Sequence, residues 1–518
     1  MVLSFNDAFE VTWKDPADAQ ANWRMEKLHY PYPQPALAQD IFTAYVEDVY
    51  HVPVTYVNGY AFMRGAVPVP PTDEVRARGA VQIWRNDFLP AIKQSVANIR
   101  NRDYDSLTAE EVAMSLPGIF HEVARRMFDT VTVVQGFIQP AVDLTAFCER
   151  ELGEDGATLA VSLLQGFGNE TSRSMADLEE LAAIAARQPA VAEAIKAGRF
   201  EPLKSLPEAA EFNERLQAFL DEFGWRAESW CLFHVPTWAE DPSTPLKLIG
   251  RYLTEPGRAP AALAQRAVSQ REAAASEIEA RIDASKLDEF RALRKAAEQH
   301  VEISEERTLW QLLLVGSGRV AVIALGRKLV ALGVIDQPAD AAFLSVDELV
   351  EVSRRPRPLQ DLVAHRRREL AHWETLTPPD WIGSRAPAAP PNPETIAFFR
   401  YFAGAGQASV EGQVIKGVGV SKGSVKGRAR VILELQDSDR LQPGEVLVCR
   451  TTSAPWTPLI AIAGGIVTDT GGLLSHSAIV AREYAIPAVT GTRVATTQIQ
   501  DGVMLLVDGE KGTVTIEE

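Results

Sequence analysis

The chain has 518 residues, of which 46% are hydrophobic, and a formal net charge of -17. This length predicts several domains with sizeable cores, and the acidic balance argues against nucleic-acid or anionic-membrane partners, which are bound mainly through excess lysine and arginine. The three cysteines, Cys148, Cys231 and Cys449, lie far apart and form no CxxC motif, so we expect neither a disulfide framework nor a metal site.

The N-terminal segment lacks the features of a secretory signal. Its first residues, MVLSFNDAFEVTWKDP, include acidic side chains where a signal peptide has a basic start followed by an apolar run. No apolar stretch approaches the length needed to cross a bilayer. We therefore expect a cytoplasmic protein with no membrane partner.

Most of the first 380 residues show a helical pattern. In TAEEVAMSLPGIFHEVARRMFDTVTVVQGF, for example, apolar residues recur at intervals of three and four, which is typical of amphipathic helices. Between Ser269 and Arg307 the chain is rich in Ala, Glu, Arg and Leu, which predicts one or two long, largely exposed helices. We therefore predict a large, mainly helical domain over residues 1–380.

The composition changes clearly after this region. The segment WIGSRAPAAPPNPE is rich in proline and alanine and predicts an extended linker over residues 381–410. Beyond it, valine and isoleucine alternate with glycine and polar residues, one helix follows His476, and GVMLLVDGEKGTVTI predicts a closing hairpin. The predicted fold class is multidomain α + α/β, with a swivelling β/β/α domain over residues 411–518.

The stretch DTGGLLSHSAIVARE places His476 where a glycine turn opens a helix. Backbone N–H groups and the dipole at a helix start favour an anion. Gly471 and Gly472 permit close backbone approach, and the hydroxyls of Ser475 and Ser477 can cap the helix or donate to phosphate oxygens. Because neutral imidazole is a nucleophile near physiological pH, His476 is a candidate phosphoryl carrier. A structural histidine that follows a tight turn is the alternative.

The same stretch resembles the signature of the swivelling phosphohistidine domain of the PEP-utilising enzymes. That signature has a glycine pair, a Ser-His or Cys-His step, an AxxARE helix and a GIPAV segment. The resemblance covers the last hundred or so residues and implies that His476 becomes phosphorylated. Two positions differ, because Leu474 replaces a frequent threonine and Ala485 replaces the glycine. Arg482 lies six residues further along the helix, which rotates it away from His476, and we expect it to be structural.

Resemblance to this family also bears on the phosphoryl donor. Members that use phosphoenolpyruvate or pyruvate carry a barrel after the swivelling domain, and we expect none here because the sequence ends at Glu518. ATP-using relatives carry an ATP-grasp domain, yet residues 1–380 contain neither its glycine-rich flap nor a P-loop. The resemblance therefore implies that a separate ATP-grasp subunit binds ATP and Mg2+ and splits ATP to AMP and phosphate.

The segment FGWRAESWCLFHVPTWAEDP resembles GHRxxxExdlxxPrWxEdP in the central domain of the rifampicin phosphotransferase family. A second segment, which begins at SEERTLWQLLL, resembles the REExR segment of the same domain. On these segments we place Arg226, Glu228 and Arg307 as candidates for an acceptor site, where cations offset phosphoryl charge. Trp225 replaces the histidine usual in the family and would make the pocket more aromatic.

A helical domain and a swivelling domain with the ATP-grasp unit on another chain resemble the phenylphosphate synthase type of phenol phosphotransferase. Aromatic-rich segments with an embedded histidine, around His29, His51 and His234, suit a phenol ring and a base. His121, in an apparent amphipathic helix, is a further candidate. For each of these histidines, aromatic core packing without a catalytic role is the alternative.

The sequence therefore predicts a phosphotransferase subunit in which His476 carries a phosphoryl group from an ATP-grasp partner to a small, phenolic hydroxyl. One alternative is a phosphohistidine carrier or regulatory protein whose acceptor is another protein. The other is a rifampicin-type antibiotic phosphotransferase. In each case the domain must swing, because donor and acceptor cannot both lie within bonding reach of one fixed imidazole.

Overall fold

The structure is a computed structural model of the chain. It describes residues 9–517 except 14, 27–29, 31, 50, 65–74, 76–77, 168–169, 227–232, 255–259, 385–407, 434 and 453–455. Two candidate acceptor-site residues, His29 and Glu228, and most of the predicted linker lie outside the described residues.

The prediction of a mainly helical region before the linker is confirmed. In chain order its α-helices are α1 (Ala36–Ala44), α2 (Ala80–Ile83), α3 (Leu89–Arg100), α4 (Ala109–Thr132), α5 (Val134–Leu152), α6 (Gly156–Ser162), α7 (Glu170–Ala186), α8 (Pro189–Lys196), α9 (Ala210–Phe223), α10 (Ser243–Thr254), α11 (Pro260–Arg281), α12 (Leu287–Ala331), α13 (Val346–Arg354) and α14 (Gln360–Trp373). A 3-10 segment, Pro338–Phe343, joins α12 to α13.

Helix α12, with 45 residues, is the central element of this region. It packs against α3, α4, α5 and α7 and against the 3-10 segment that follows it. Its part Glu306–Ala331 is long and apolar enough to cross a membrane, although 83% of an 18-residue apolar stretch within it is buried inside the protein. The expectation that no stretch reaches such a length was therefore wrong. The apolar residues lie on all sides of the helix because neighbouring helices surround it.

A four-stranded antiparallel sheet within the helical region was not predicted. Its strands, in the order β2-β3-β1-β4, are β1 (Asn22–Met25), β2 (Val54–Val57), β3 (Tyr60–Met63) and β4 (Trp381–Gly383). Trp23 of β1 pairs with Ile382 of β4. The predicted linker therefore starts too early at residue 381, because that residue closes the sheet of the helical region.

The C-terminal region is a nine-stranded mixed sheet in the order β5-β6-β13-β12-β8-β9-β10-β11-β7. The strands are β5 (Ser409–Glu411), β6 (Val414–Lys416), β7 (Val418–Ser421), β8 (Ser424–Val431), β9 (Val446–Cys449), β10 (Gly465–Thr468), β11 (Ala488–Thr490), β12 (Met504–Asp508) and β13 (Thr513–Glu517). The closing hairpin is confirmed as β12–β13. Since β5 already pairs with β6, the sheet begins before the predicted domain boundary at 411.

Among the described residues of this region, three α-helices accompany the sheet, where the sequence indicated only one: α15 (Thr457–Ile462), α16 (His476–Glu483) and α17 (Ala495–Gln498). Strands β8, β9, β10 and β11 are parallel. Leu447 and Ile466 join the cluster that includes α15 and α16, whereas Val446 and Val467 join a cluster on the opposite face. Burial of both faces is typical of parallel strands and explains their nearly continuous apolar sequences. The predicted fold class, multidomain α + α/β, is thus confirmed.

Candidate functional site

The candidate site lies where β10 ends and the chain turns into α16. Ligands commonly bind at the carboxyl ends of parallel strands. Here the turn is anchored by Asp469, whose carboxylate accepts hydrogen bonds from the backbone N–H of Thr496 at 3.0 Å and from the Thr496 hydroxyl. Burial raises the pKa of the Asp469 carboxyl above its usual value. The next residue, Thr470, donates from its N–H and its hydroxyl to the carbonyl of Arg450, at 3.0 and 3.2 Å.

The glycine pair has two different roles in this turn. Gly471 has a φ of 111°, in the left-handed region that favours glycine, and a Cβ there would lie 2.8 Å from Oγ of Ser475. Gly472 contributes its carbonyl, which accepts from the N–H of Ser475 at 3.1 Å and from its hydroxyl at 2.8 Å. The tight turn before the helix therefore depends on both residues.

Ser475 and Ser477 are both buried beside the turn. Ser475 occupies the N-cap position of α16, but its side chain caps no helical N–H. Of the two roles considered for the Ser475 hydroxyl, capping of the helix is not observed, since the hydroxyl donates to the carbonyl of Gly472. The two serine oxygens lie 3.2 Å apart, so the pair stabilises the turn from inside.

His476 is the first residue of α16, and its side chain is half-buried. Its Nε2 lies 3.3 Å from the hydroxyl oxygen of Thr457, while its Nδ1 is buried. The imidazole thus stands at the positive end of a helix, where a phosphoryl group is electrostatically favoured. Sequence analysis missed Thr457, because nothing local to the histidine motif indicates which distant hydroxyl will reach it.

Arg482, on the same helix, is buried and has a structural contact. Its Nη1 donates to the carbonyl of Val420 in β7 at 3.1 Å. Burial lowers the pKa of this guanidinium to about 9. The side chain therefore joins α16 to the edge of the sheet. This agrees with its position on the helix, which directs it away from His476.

Two predicted cations of the acceptor site, Arg226 and Arg307, are buried in the helical region. The guanidinium carbon of Arg226 lies 3.8 Å from the ring centroid of Trp238, a cation–π contact. Arg307 lies on α12 with Nη2 at 3.5 Å from the hydroxyl of Thr308. Among the described residues, the indole N–H groups of Trp225 and Trp238 are buried without a hydrogen-bond partner, so donors and aromatic faces occur together beside Arg226.

The described candidate histidines occupy different environments. His234 stands edge-on to the ring of Phe343 at 5.6 Å, and burial together with the charge of Arg319 lowers its pKa to about 4. His51 and His121 are exposed. Neither of these two exposed side chains therefore shows the aromatic core packing that was the alternative to a catalytic role, whereas His234 is held neutral in a buried position.

Potential metal ligands were also compared across the described part of the chain. There, no three His, Cys, Asp or Glu side chains come together in a group that could hold a metal ion. The carboxylate nearest the turn, that of Asp469, is used by hydrogen bonds to Thr496.

Comparison with known protein families matches both parts of the chain. The family described as "PEP-utilising enzyme, mobile domain" matches residues 441–512, which include Thr457 and His476. The family described as "Rifampicin phosphotransferase fourth domain" matches residues 129–305, which include Arg226 and His234. The resemblances drawn from the sequence to these two families are therefore confirmed.

Individual relatives extend the similarity over more of the chain. The chondramide synthase cmdD of Chondromyces crocatus is 29% identical over 98% of this chain and 14% of its own length. The rifampicin phosphotransferase of Streptomyces sviceus is 29% identical over 87% of this chain and 51% of its own length. That of Bacillus subtilis is 36% identical over 38% of this chain and 21% of its own length. The chain spans about half or less of the length of these curated relatives.

Proposed function

We propose that the chain is the phosphohistidine-carrying and acceptor-binding part of a phosphotransferase. The observation that carries this proposal is the placement of His476, the first residue of a helix at the carboxyl end of a parallel strand, with Nε2 beside Thr457. It lies within the segment similar to the mobile domain of PEP-utilising enzymes. The helical region, similar to the fourth domain of rifampicin phosphotransferase, would hold the acceptor.

The proposed reaction has two transfers through one nitrogen. In the first, the lone pair of Nε2 attacks phosphorus, an N–P bond forms and the bond from phosphorus to the leaving oxygen breaks. In the second, the oxygen of an acceptor hydroxyl attacks phosphorus, the N–P electron pair returns to Nε2, and the hydroxyl proton passes to a base or to water. N–H groups at the start of α16 and the hydroxyl of Thr457 would donate to phosphoryl oxygens.

The acceptor that we propose first is a hydroxyl of a rifampicin-type antibiotic. The support for this acceptor is that a relative named rifampicin phosphotransferase aligns over 87% of this chain. A phenolic hydroxyl is the second candidate, because the indole N–H groups of Trp225 and Trp238 are buried without a hydrogen-bond partner and Trp238 lies against the buried cation of Arg226. A phenol oxygen that accepts from an indole and loses its proton near a guanidinium suits that arrangement.

For the donor, we propose an ATP-grasp unit that binds ATP and Mg2+, on a separate subunit. In a dikinase-type reaction AMP leaves, water takes one phosphoryl group as phosphate, and His476 retains the other. ATP labelled separately at the β and γ positions distinguishes this route from a simple γ-phosphoryl transfer. We expect acid-labile label from the β position only.

The deciding experiment compares wild-type protein with His476→Ala and with a matched control, His121→Ala. His121 is exposed on α4 in the helical region, so its replacement leaves the carrier domain intact. With the ATP-grasp partner present, wild type and the control should be labelled and His476→Ala should not. Equal labelling of His476→Ala would overturn the proposal.

A screen of acceptors then decides the substrate class. Labelled chain is mixed separately with a rifamycin, with simple phenols and with candidate proteins. Transfer to the rifamycin supports the first acceptor, and transfer to phenols alone supports the second. If label passes only to a protein, the chain is a phosphohistidine carrier and the proposal of a small acceptor fails.

A further inference from the structure

Two adjacent leucines before the Ser-His step face different parts of the molecule. Leu473 packs against the core cluster of its own domain, which includes α15 and α16. Leu474 instead packs against a cluster in the helical region. That cluster is formed by side chains of α5, α6, α11 and α12, among them the buried residues Phe147, Ile278 and Phe290.

This contact explains the departure at position 474. The threonine frequent in the related family offers a hydroxyl there, and Leu474 replaces it with an apolar side chain. Helix α16, which carries His476, packs directly on α11. The leucine therefore joins the carrier turn to the helical region, and its partial burial favours the docked arrangement.

A second point of contact lies on α10. Nη2 of Arg251 donates to two backbone carbonyls of the C-terminal domain, those of Ser438 at 3.1 Å and Leu441 at 3.0 Å. One turn earlier on the same helix, Nζ of Lys247 lies 3.7 Å from the carboxylate of Asp439. A single guanidinium nitrogen thus bridges two backbone carbonyls in the segment before β9.

The surface between these two points is well buried. Tyr252, next to Arg251, lies close enough to Tyr484, just after α16, to affect the pKa of that phenol, and burial raises the pKa of both phenols. On another side, Arg450 of the C-terminal domain lies close enough to Glu374, just after α14, to oppose the effect of burial on the pKa of that carboxyl. These residues add to the contact between the helical region and the C-terminal domain.

We propose that Leu474 and Arg251 form a two-point docking device that holds the His476 domain against α10 and α11. The phosphohistidine is thereby presented to the helical region of its own chain and is kept from exchange with other proteins. That consequence rests on the proposed function, whereas docking itself can be measured on the unphosphorylated chain. Because the device uses apolar burial and neutral carbonyl acceptors, docking should persist at about 1 M salt, where exposed ion pairs are screened.

Hydrogen–deuterium exchange of the full chain tests the device. Leu474→Asp and Arg251→Met should each accelerate exchange about tenfold in peptides covering α11, α16 and residues 435–441, since each removes a contact worth roughly one factor of ten. The double variant should approach a hundredfold. The β12–β13 hairpin, which lies away from this surface, should exchange at the wild-type rate.

Two controls make the result specific. Arg199→Met changes an arginine that is 61% exposed and paired with Glu193, and it should leave all peptides unchanged. Leu474→Thr restores the residue frequent in the related family and should give a smaller acceleration than Leu474→Asp. Wild-type rates in the double variant would overturn the proposal. So would acceleration that extends to the β12–β13 hairpin, because Leu474 would then support its own domain.

Failure of docking and failure of the proposed function are distinguishable. If exchange behaves as expected but His476 takes no label, docking stands and the phosphotransferase proposal fails. If His476 is labelled normally but the variants exchange like wild type, only the docking device is refuted. Exchange measured at about 1 M salt is a further check. If the wild type then exchanged faster in these peptides, ion pairs such as Lys247–Asp439 would hold the two regions together, and the proposed apolar and carbonyl contacts would not.

Discussion

The hydroxyl oxygen of Thr457 lies 3.3 Å from Nε2 of His476, so the first residues of α15 and α16 meet although they are 19 positions apart. Thr457 is buried and can donate to the imidazole nitrogen or, after phosphorylation, to a phosphoryl oxygen. This hydroxyl is therefore one group that can orient the candidate carrier.

Replacement of Thr457 by valine keeps the shape of the side chain and removes the hydroxyl. We expect the rate of His476 labelling to fall about ten- to hundredfold, since a lost hydrogen bond to a developing charge costs roughly 1.5–3 kcal/mol. Rapid-quench labelling measures the rate. Thr457→Ser, which keeps the hydroxyl, should recover most of it, and a wild-type rate in Thr457→Val would show that the hydroxyl has no role in transfer.

The phosphoryl group should be attached to Nε2. The other ring nitrogen, Nδ1, is buried, so a donor can approach only from the side of Thr457. Heteronuclear NMR that correlates phosphorus with the ring protons identifies the isomer. Attachment at Nδ1 would mean that the ring turns over before it is phosphorylated.

Gly471→Ala should disrupt the turn before α16. Alanine would have to keep the unfavourable positive φ of this position, and its Cβ would lie 2.8 Å from Oγ of Ser475. We therefore expect the free energy of unfolding to fall by about 1–3 kcal/mol and the labelling of His476 to slow. Gly502→Ala is a matched control, because Gly502 also has a positive φ, 87°, but nothing lies within 4 Å of its Cβ position. The control should lose stability through backbone strain alone and label normally. Equal labelling of both variants would contradict a role of this turn.

His234 should make stability depend on pH. Its pKa falls from 6.5 in the unfolded chain to about 4 in the folded protein, chiefly through burial. The unfolded chain therefore binds more protons between these values, and this contribution to stability is complete above pH 6.5 and is lost as the pH falls through 4. The loss amounts to roughly 3 kcal/mol, since each pKa unit corresponds to about 1.4 kcal/mol.

Denaturant unfolding of wild type and His234→Gln at pH 7 and pH 4 measures this dependence. The difference between wild type and variant should shrink or reverse at pH 4, because proton uptake by the exposed imidazole stabilises the unfolded wild type and glutamine takes up no proton. His121→Gln, at an exposed position, should follow the wild type at both values. Parallel pH profiles for His234→Gln and wild type would refute the assignment.

Much of the candidate turn could be predicted because its determinants are local. A glycine pair, a residue at a helix start and the helix that follows depend on interactions within a few positions. The β12–β13 hairpin and the long helices around Ser269 to Arg307 were predictable for the same reason. A helix cap by Ser475, one of two roles considered, does not form because its hydroxyl donates instead to another nearby group, the carbonyl of Gly472.

The sequence alone determined the class of the fold, the helix that begins at His476 and the need for glycine beside it. Only the tertiary structure decided which distant groups meet there. Thr457 lies beside the imidazole, β4 pairs with β1, and the side chain of Leu474 packs against the helical region and not against its own domain. The physical reason is that hydrogen bonds within helices and turns are set by neighbouring residues, whereas these contacts depend on how whole elements pack to bury apolar surface.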